Sequence, residues 1–196
     1  MLRRQCMPHM GRRPLVGIFG SARIASPDPR YDEAREVGDR LARAGFAVAT
    51  GGYGGLMEAV SRGAAEAGGY VLGLPMRPWA GREPNRWVSE ARWADDIFER
   101  LKGFHACDAL VALPGGLGTL SEATLVWANL GTDPDSTPPL LLLGPAWTEL
   151  REHLRQLLIV EDRDLALVHL VPTPVSLVPA LERALARKPG IARRLG

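Results

Sequence analysis

Lysine is almost missing from this chain: of 24 basic residues only Lys102 and Lys188 are lysines, and the rest are arginines. Chemistry that needs a lysine in a pocket therefore has two candidates, one of them in the C-terminal tail. Cysteine is as scarce, with Cys6 and Cys107 alone, too few and too differently placed for a disulfide framework. An excess of charge is absent as well: 24 basic against 22 acidic residues leave a net charge of +2, short of the basic stripe that marks nucleic-acid proteins. Neither nucleic acid nor a membrane surface is expected as a partner. The longest apolar run, near Leu140 to Leu143, falls far below the roughly 20 residues that cross a bilayer. The opening residues also lack the apolar stretch of a signal peptide, so a reducing, cytoplasmic location is the expectation.

What is present is an ordinary globular composition, 46% apolar and 23% charged over 196 residues. At roughly 150 residues per domain this length favours one domain over two. Met1 to Pro14 is basic and irregular, with Met7 and Met10 as alternative starts, and reads as a mobile arm; residues 15–196 read as a single domain. From Leu15 onward strands and helices alternate. LVGIFG reads as a buried strand, and Tyr31 to Ala44 has apolar residues at Ala34, Val37, Leu41 and Ala44, the spacing of a helix that Gly45 closes. FAVAT, a helix over Leu56 to Ala67 and the strand YVLGL follow. Pro75 to Arg86 is a long loop rich in Pro, Gly, Arg and Trp, of the kind that carries function; the alternative is that Trp79 and Trp87 only pack it down. Beyond it the pattern predicts a strand over Val88 to Trp93 and a helix over Asp95 to Cys107. Next come the strand ALVAL, a helix to Leu130, the strand LLLL and a helix over Trp147 to Leu158. A short strand over Val168 to Val171 and a helix over Val175 to Arg187 complete the series. The fold class expected is α/β: a single doubly wound, Rossmann-like parallel sheet of six or seven strands flanked by helices.

In such sheets the ligand lies outside the carboxyl ends of the strands, and three segments qualify. Gly20-Ser21 follows the first strand, where a small residue admits a ligand and a hydroxyl can donate to it; alone this is common turn chemistry. Gly51-Gly52-Tyr53-Gly54-Gly55-Leu56-Met57-Glu58 puts four glycines at the start of a helix, more than a tight turn needs, and favours anion contact. Its spacing is not GxGxxG, and it follows the second strand, so it is not the dinucleotide fingerprint. Pro114-Gly115-Gly116-Leu117-Gly118-Thr119-Leu120-Ser121-Glu122 carries the most information. Gly115, Gly116 and Gly118 expose backbone N–H groups, and the Thr119 hydroxyl adds a donor for a phosphate at the positive end of a helix. Glu122 lies one turn beyond Thr119 on the same face. The Lys-Ser/Thr ending of a triphosphate-binding loop is lacking.

Taken together, IFGSA, GGYGGLMEAVSRGAAEAGG, DALVAL and PGGLGTLSE resemble the LOG family of cytokinin riboside 5′-monophosphate phosphoribohydrolases, labelled lysine decarboxylases in older usage. The resemblance covers about Leu15 to Leu143. It implies phosphate binding by Gly115, Gly116, Gly118 and Thr119, nucleotide contacts by Ser21, Gly51, Gly52 and Met57, and a catalytic carboxylate at Glu122. The family's catalytic arginine stands in a Glu-Arg-Lys stretch, which Glu99-Arg100-Leu101-Lys102 matches with Leu101 inserted and with one residue fewer before Asp108. Tyr53 stands where a third glycine is usual. The resemblance further implies a homodimer, with an arginine of the neighbouring subunit near the pocket.

The function expected is hydrolysis of the N-glycosidic bond of a nucleoside 5′-monophosphate, of the AMP or cytokinin riboside monophosphate type, to free base and ribose 5-phosphate. Glu122 would stabilise an oxocarbenium-like sugar and orient or deprotonate water, and Arg100 would fix the substrate or assist the departing base. The plainer reading of Arg100 is a surface ion pair with Glu99 or Asp96. The competing function is a non-catalytic nucleotide or molybdenum-cofactor carrier, since similar folds serve that purpose; a carboxylate beside an anion favours the enzyme. Decarboxylation of lysine would need a Schiff-base lysine that the chain barely offers. No cofactor and no metal are expected: Glu149 and His153 share a helix face but lack a third ligand, and His105 reads as structural.

Overall fold

The computed structural model describes residues 13–79 and 81–187, so the arm expected at Met1 to Pro14 and the tail from Lys188 fall largely outside the described residues. Seven strands alternate with helices: β1 Leu15–Phe19, β2 Ala47–Thr50, β3 Val71–Gly73, β4 Glu90–Ala91, β5 Ala109–Ala112, β6 Leu140–Leu143 and β7 His169–Val171. The helices are α1 Pro29–Arg43, α2 Leu56–Glu66, α3 Ile97–His105, α4 Leu117–Thr132, α5 Pro145–Leu157, α6 Asp162–Leu165 and α7 Pro174–Ala186. All pairings are parallel, in the order β4-β3-β2-β1-β5-β6-β7. The chain winds outward from β1 to β4 and then crosses back to set β5 beside β1.

The strands read as unbroken apolar runs because helices cover both faces of the sheet. Val16, Ile18, Val48, Ala109, Val111, Leu141 and Leu143 pack under α1, α2 and α7. Their neighbours in sequence, Phe19, Ala49, Leu110, Ala112, Leu140 and Leu142, pack under α3 to α6. Side chains alternating across a strand thus feed two separate layers of core. On one of those layers α1 and α2 approach closely at Gly38 and Gly63. A methyl group at either would collide with backbone of the other helix, at Val60 O and Arg35 O respectively.

Several boundaries differ from the sequence pattern for local reasons. The strand expected over Val88 to Trp93 is ordered only at Glu90–Ala91, because a turn from Asn85 O to Val88 N occupies its first residue. Helix α3 starts at Ile97 rather than Asp95, since the Asp96 side chain accepts from Glu99 N at 2.8 Å and caps it. Two short elements arise where the sequence has no periodicity. A 3₁₀ turn forms over Arg77–Trp79 inside the long loop, and α6 is nucleated by a reciprocal Glu161/Asp164 capping box. No helix among the described residues is long and apolar enough to cross a membrane.

Candidate active site

The order of strands reverses between β1 and β5, which opens a crevice at their carboxyl ends. The three segments singled out in the sequence follow β1, β2 and β5 and so border this crevice. Gly20-Ser21 is tied to the glycine run by the first amide of α2, Leu56 N, which donates to Ser21 O at 2.8 Å. Gly55 makes that junction possible: its φ is +73°, and a Cβ there would strike Ser21 O and come within 2.7 Å of Ala22 Cα. The Ser21 hydroxyl accepts locally from Arg23 N at 3.1 Å. Gly51 is held open for a different reason. A side chain there would run into the Arg100 guanidinium and lie 2.6 Å from Met57 Sδ, so Gly51, Met57 and Arg100 form one wall.

The centre of the site is an ion pair. Arg100 Nη1 donates to Glu122 Oε1 at 2.7 Å, and Arg100 Nε donates to Leu74 O at 2.9 Å. Arg100 is 6% exposed and Glu122 9%. The plainer expectation, a surface pair of Arg100 with Glu99 or Asp96, is overturned. Asp96 caps α3, Glu99 accepts from Asp95 N, and Arg100 lies with Leu101 and Phe104 on the inward face of α3. Its guanidinium sits 5.4 Å from the Phe104 ring centroid and 5.8 Å from that of Trp79. Burial pushes the Glu122 carboxyl above the usual glutamate value of 4.5, and the Arg100 charge offsets only part of that. The pairing is single-toothed. Among the described residues, Glu122 Oε2 and Arg100 Nη2 make no hydrogen bond.

Beside the pair, α4 begins at Gly116 with no side chain capping it, so the amides of its first turn face the crevice unsatisfied. Gly116 and Gly118 do not have positive φ, and a Cβ at either would meet nothing within 4 Å. The backbone therefore does not require glycine at these positions; what glycine supplies is room over a positive helix end. Gly115 differs, because its missing side chain is the seat of Thr119, which is nearly buried beneath it. Glu122 is one helical turn farther on, so the uncapped amides and the carboxylate share one end of α4.

The sequence pattern did not single out the residues that fasten the loops around this centre. The Tyr53 hydroxyl accepts from Met76 N at 2.8 Å and lies 3.3 Å from Met76 O. Asn85 Nδ2 donates to Gly52 O and Tyr53 O, each at 3.0 Å. The only sequence signal was Tyr53 interrupting the glycine run; nothing in the spacing pairs it with residue 76. The residues considered for other chemistry stay apart. His153 Nδ1 contacts the Glu149 backbone carbonyl at 2.8 Å, and among the described residues no three His, Cys, Asp or Glu side chains are grouped to hold a metal. His105 Nε2 lies 3.5 Å from Asn129 Nδ2, and burial lowers its pKa. Lys102 is exposed on α3.

Comparison with known proteins places this geometry in context. Residues 13–132 match the model of the SLOG cluster4 family. A probable cytokinin riboside 5′-monophosphate phosphoribohydrolase of Oryza sativa subsp. japonica, LOGL6, is 32% identical over 85% of this chain and 70% of its own length. Another from the same plant, LOGL9, is 35% identical over 63% of this chain. The chain spans only 56% of the length of that relative. Among solved structures, the molybdenum cofactor carrier protein of Chlamydomonas reinhardtii superposes with a TM-score of 0.68 at 26% identity, covering 90% of this chain and 100% of that one. With a family model matched over more than half its length and a relative at 32% identity, the chain belongs to the SLOG cluster4 family of LOG-type proteins.

Proposed function

We propose that this protein hydrolyses the N-glycosidic bond of a nucleoside 5′-monophosphate, of the AMP or cytokinin riboside monophosphate type, releasing free base and ribose 5-phosphate. The observation that carries the reading is the buried Arg100–Glu122 pair, one turn beyond an uncapped glycine-rich helix start. Gly115, Gly116, Gly118 and Thr119, around the uncapped start of α4, hold the 5′-phosphate, and Gly20, Ser21, Gly51, Gly52 and Met57 line the nucleotide's path. Glu122 Oε2, which makes no hydrogen bond among the described residues, faces the sugar. As the C1′–N bond breaks, its electron pair leaves with the base and positive character grows at C1′, where a fixed carboxylate stabilises it. Water then forms the new C1′–O bond and gives its proton to Glu122, the base takes up a proton from solvent as it leaves, and Glu122 returns its proton to solvent. Arg100 keeps Glu122 oriented and offers Nη2 to the substrate. The names of the plant relatives support this reading.

Incubation with AMP followed by chromatography tests it. Free adenine and ribose 5-phosphate are expected in equal amounts; stoichiometric AMP retention without adenine overturns the hydrolase. That second result would favour a molybdenum-cofactor carrier, which the fold neighbour at 26% identity supports. The carboxylate argues the other way, since a charge beside a bound anion weakens binding unless chemistry uses it.

A further inference from the structure

The long loop carries two tryptophans, and they differ in kind. Trp87 is half-buried, with Arg62 and Arg86 at 5.7 and 4.6 Å from its ring centroid and its backbone N–H donating to Asn85 Oδ1. Trp87 is part of the fastening of the loop. Trp79 is 40% exposed, yet it is not loose. The segment before it is pinned by Tyr53 on Met76, by the bridge between Met76 and Ala94, and by Arg77 N donating to Ala94 O at 2.9 Å. The buried Tyr53 ring supports it from beneath at 5.5 Å between centroids. On this fixed base, Trp79 lies 5.8 Å from the guanidinium that holds Glu122. The second cation on the ring, Arg82 at 5.8 Å, is exposed and free to yield.

A large, rigidly held and partly bare aromatic surface thus stands next to the catalytic pair. A nucleotide anchored by its phosphate at α4, with its sugar at Glu122, must direct its base into the space beyond C1′. Of the two rings against Arg100, Phe104 is fully buried and Trp79 is the one open to a ligand. Resting on the hydrolase reading above, we propose that Trp79 is the stacking platform for the base, a specificity-determining residue that favours purines, with Tyr53 as the residue that positions it. The indole overlaps both rings of a purine and only one ring's worth of a pyrimidine, and stacking gains with overlap. The tyrosine in place of a glycine then has a purpose: glycine at that position would leave the indole unsupported.

The test separates the base from the rest of the substrate. In a Glu122→Gln background, which stops turnover, the affinities of AMP, UMP and ribose 5-phosphate are measured by calorimetry with and without Trp79→Ala. AMP affinity should fall about tenfold or more, UMP affinity should fall less, and ribose 5-phosphate should stay within about twofold because it keeps phosphate and sugar but has no base. Trp79→Phe should restore most of the AMP affinity, and Tyr53→Phe, which loses only the anchoring hydroxyl, should show a smaller loss. Equal losses for all three ligands, or no loss for AMP, overturn the platform. So does a Trp79→Ala enzyme, with Glu122 intact, whose kcat falls while AMP affinity is unchanged; that result would assign Trp79 to holding Arg100. A parent protein that binds AMP in this base-dependent way but releases no adenine would overturn the hydrolase and leave the platform standing.

Discussion

At the scale of single residues, Glu122 is the sharpest case, because it is nearly buried and only one of its oxygens is hydrogen-bonded among the described residues. Glu122→Gln keeps the shape and the hydrogen bond to Arg100 but removes the charge opposite C1′. Turnover of AMP should drop about a hundredfold or more, while affinity for AMP, set mainly by the phosphate, changes little. A parent-like kcat in the variant would demote Glu122 to a structural partner of Arg100. Acidity gives an independent readout. Burial raises the carboxyl above 4.5, so on acidification activity should fade at a higher pH than an exposed glutamate would dictate. The stability effect runs the other way. A pKa raised in the folded state favours folding below the ordinary value, and that contribution is lost as pH rises through the raised one. Acidic loss of kcat with an intact circular dichroism spectrum is therefore expected, and the acid limb should vanish in Glu122→Gln. Much of this site was legible in the sequence, since PGGLGTLSE places cradle and carboxylate on one helix end. The Arg100–Glu122 contact was not, because 22 positions separate the partners and only the packing of α3 against the sheet decides which way an arginine beside Glu99 turns.

At the scale of elements, apolar runs and helical spacing sufficed wherever an element is long and buried, as in β5, β6, α1 and α2. They failed where capping or a tertiary turn decides: α6 depends on Glu161 and Asp164, and β4 is cut short by the turn at Asn85. The glycines of α1 and α2 belong to a third class, in which composition argues against a helix and packing requires it. Gly38 sits inside α1 although alanine is the better helix former by roughly 1 kcal/mol. A Cβ there would strike Val60 O and lie 2.8 Å from Ala64 N, both backbone atoms that no rotamer change can move aside. Overpacking of this kind costs about 1–3 kcal/mol, so Gly38→Ala should lower the urea midpoint despite its better propensity. Gly131→Ala, on α4, is the control. Its Cβ would meet only Leu167 Cδ1 at an ordinary 3.5 Å, and the midpoint should hold or rise. The opposite order of the two midpoints would refute close packing of α1 on α2 as the reason for Gly38.

At the scale of the whole molecule, helices α3 and α4 carry exposed apolar side chains. Phe98 on α3 is 69% exposed and Leu117 at the head of α4 84%, with Ile97 and Leu125 also exposed nearby in sequence. Leu117 and Leu125 are eight residues apart and so share a face of α4. Arg100 and Glu122 come from the buried sides of these same helices. We propose that a second copy covers this face and makes the protein a homodimer. Two other surfaces compete. The groove between α1 and α7 is bordered by the solvent-exposed Glu36–Arg40 and Asp39–Arg43 ion pairs, which a partner would have to desolvate. Leu157, Leu158 and Ile159 form an exposed apolar run at the C-terminal end of α5. Light scattering at micromolar concentration should give twice the chain mass. A stable interface hides roughly 800 Å² per partner, and a charge set in its middle is left desolvated, so Phe98→Glu or Leu125→Glu should yield monomers. Leu158→Glu should leave the dimer intact. Because α3 and α4 also carry the proposed catalytic pair, the monomeric variants should lose AMP turnover even with Arg100 and Glu122 unchanged. Dissociation by Leu158→Glu, with Phe98→Glu still dimeric, would move the interface to α5 and take the partner subunit away from the site.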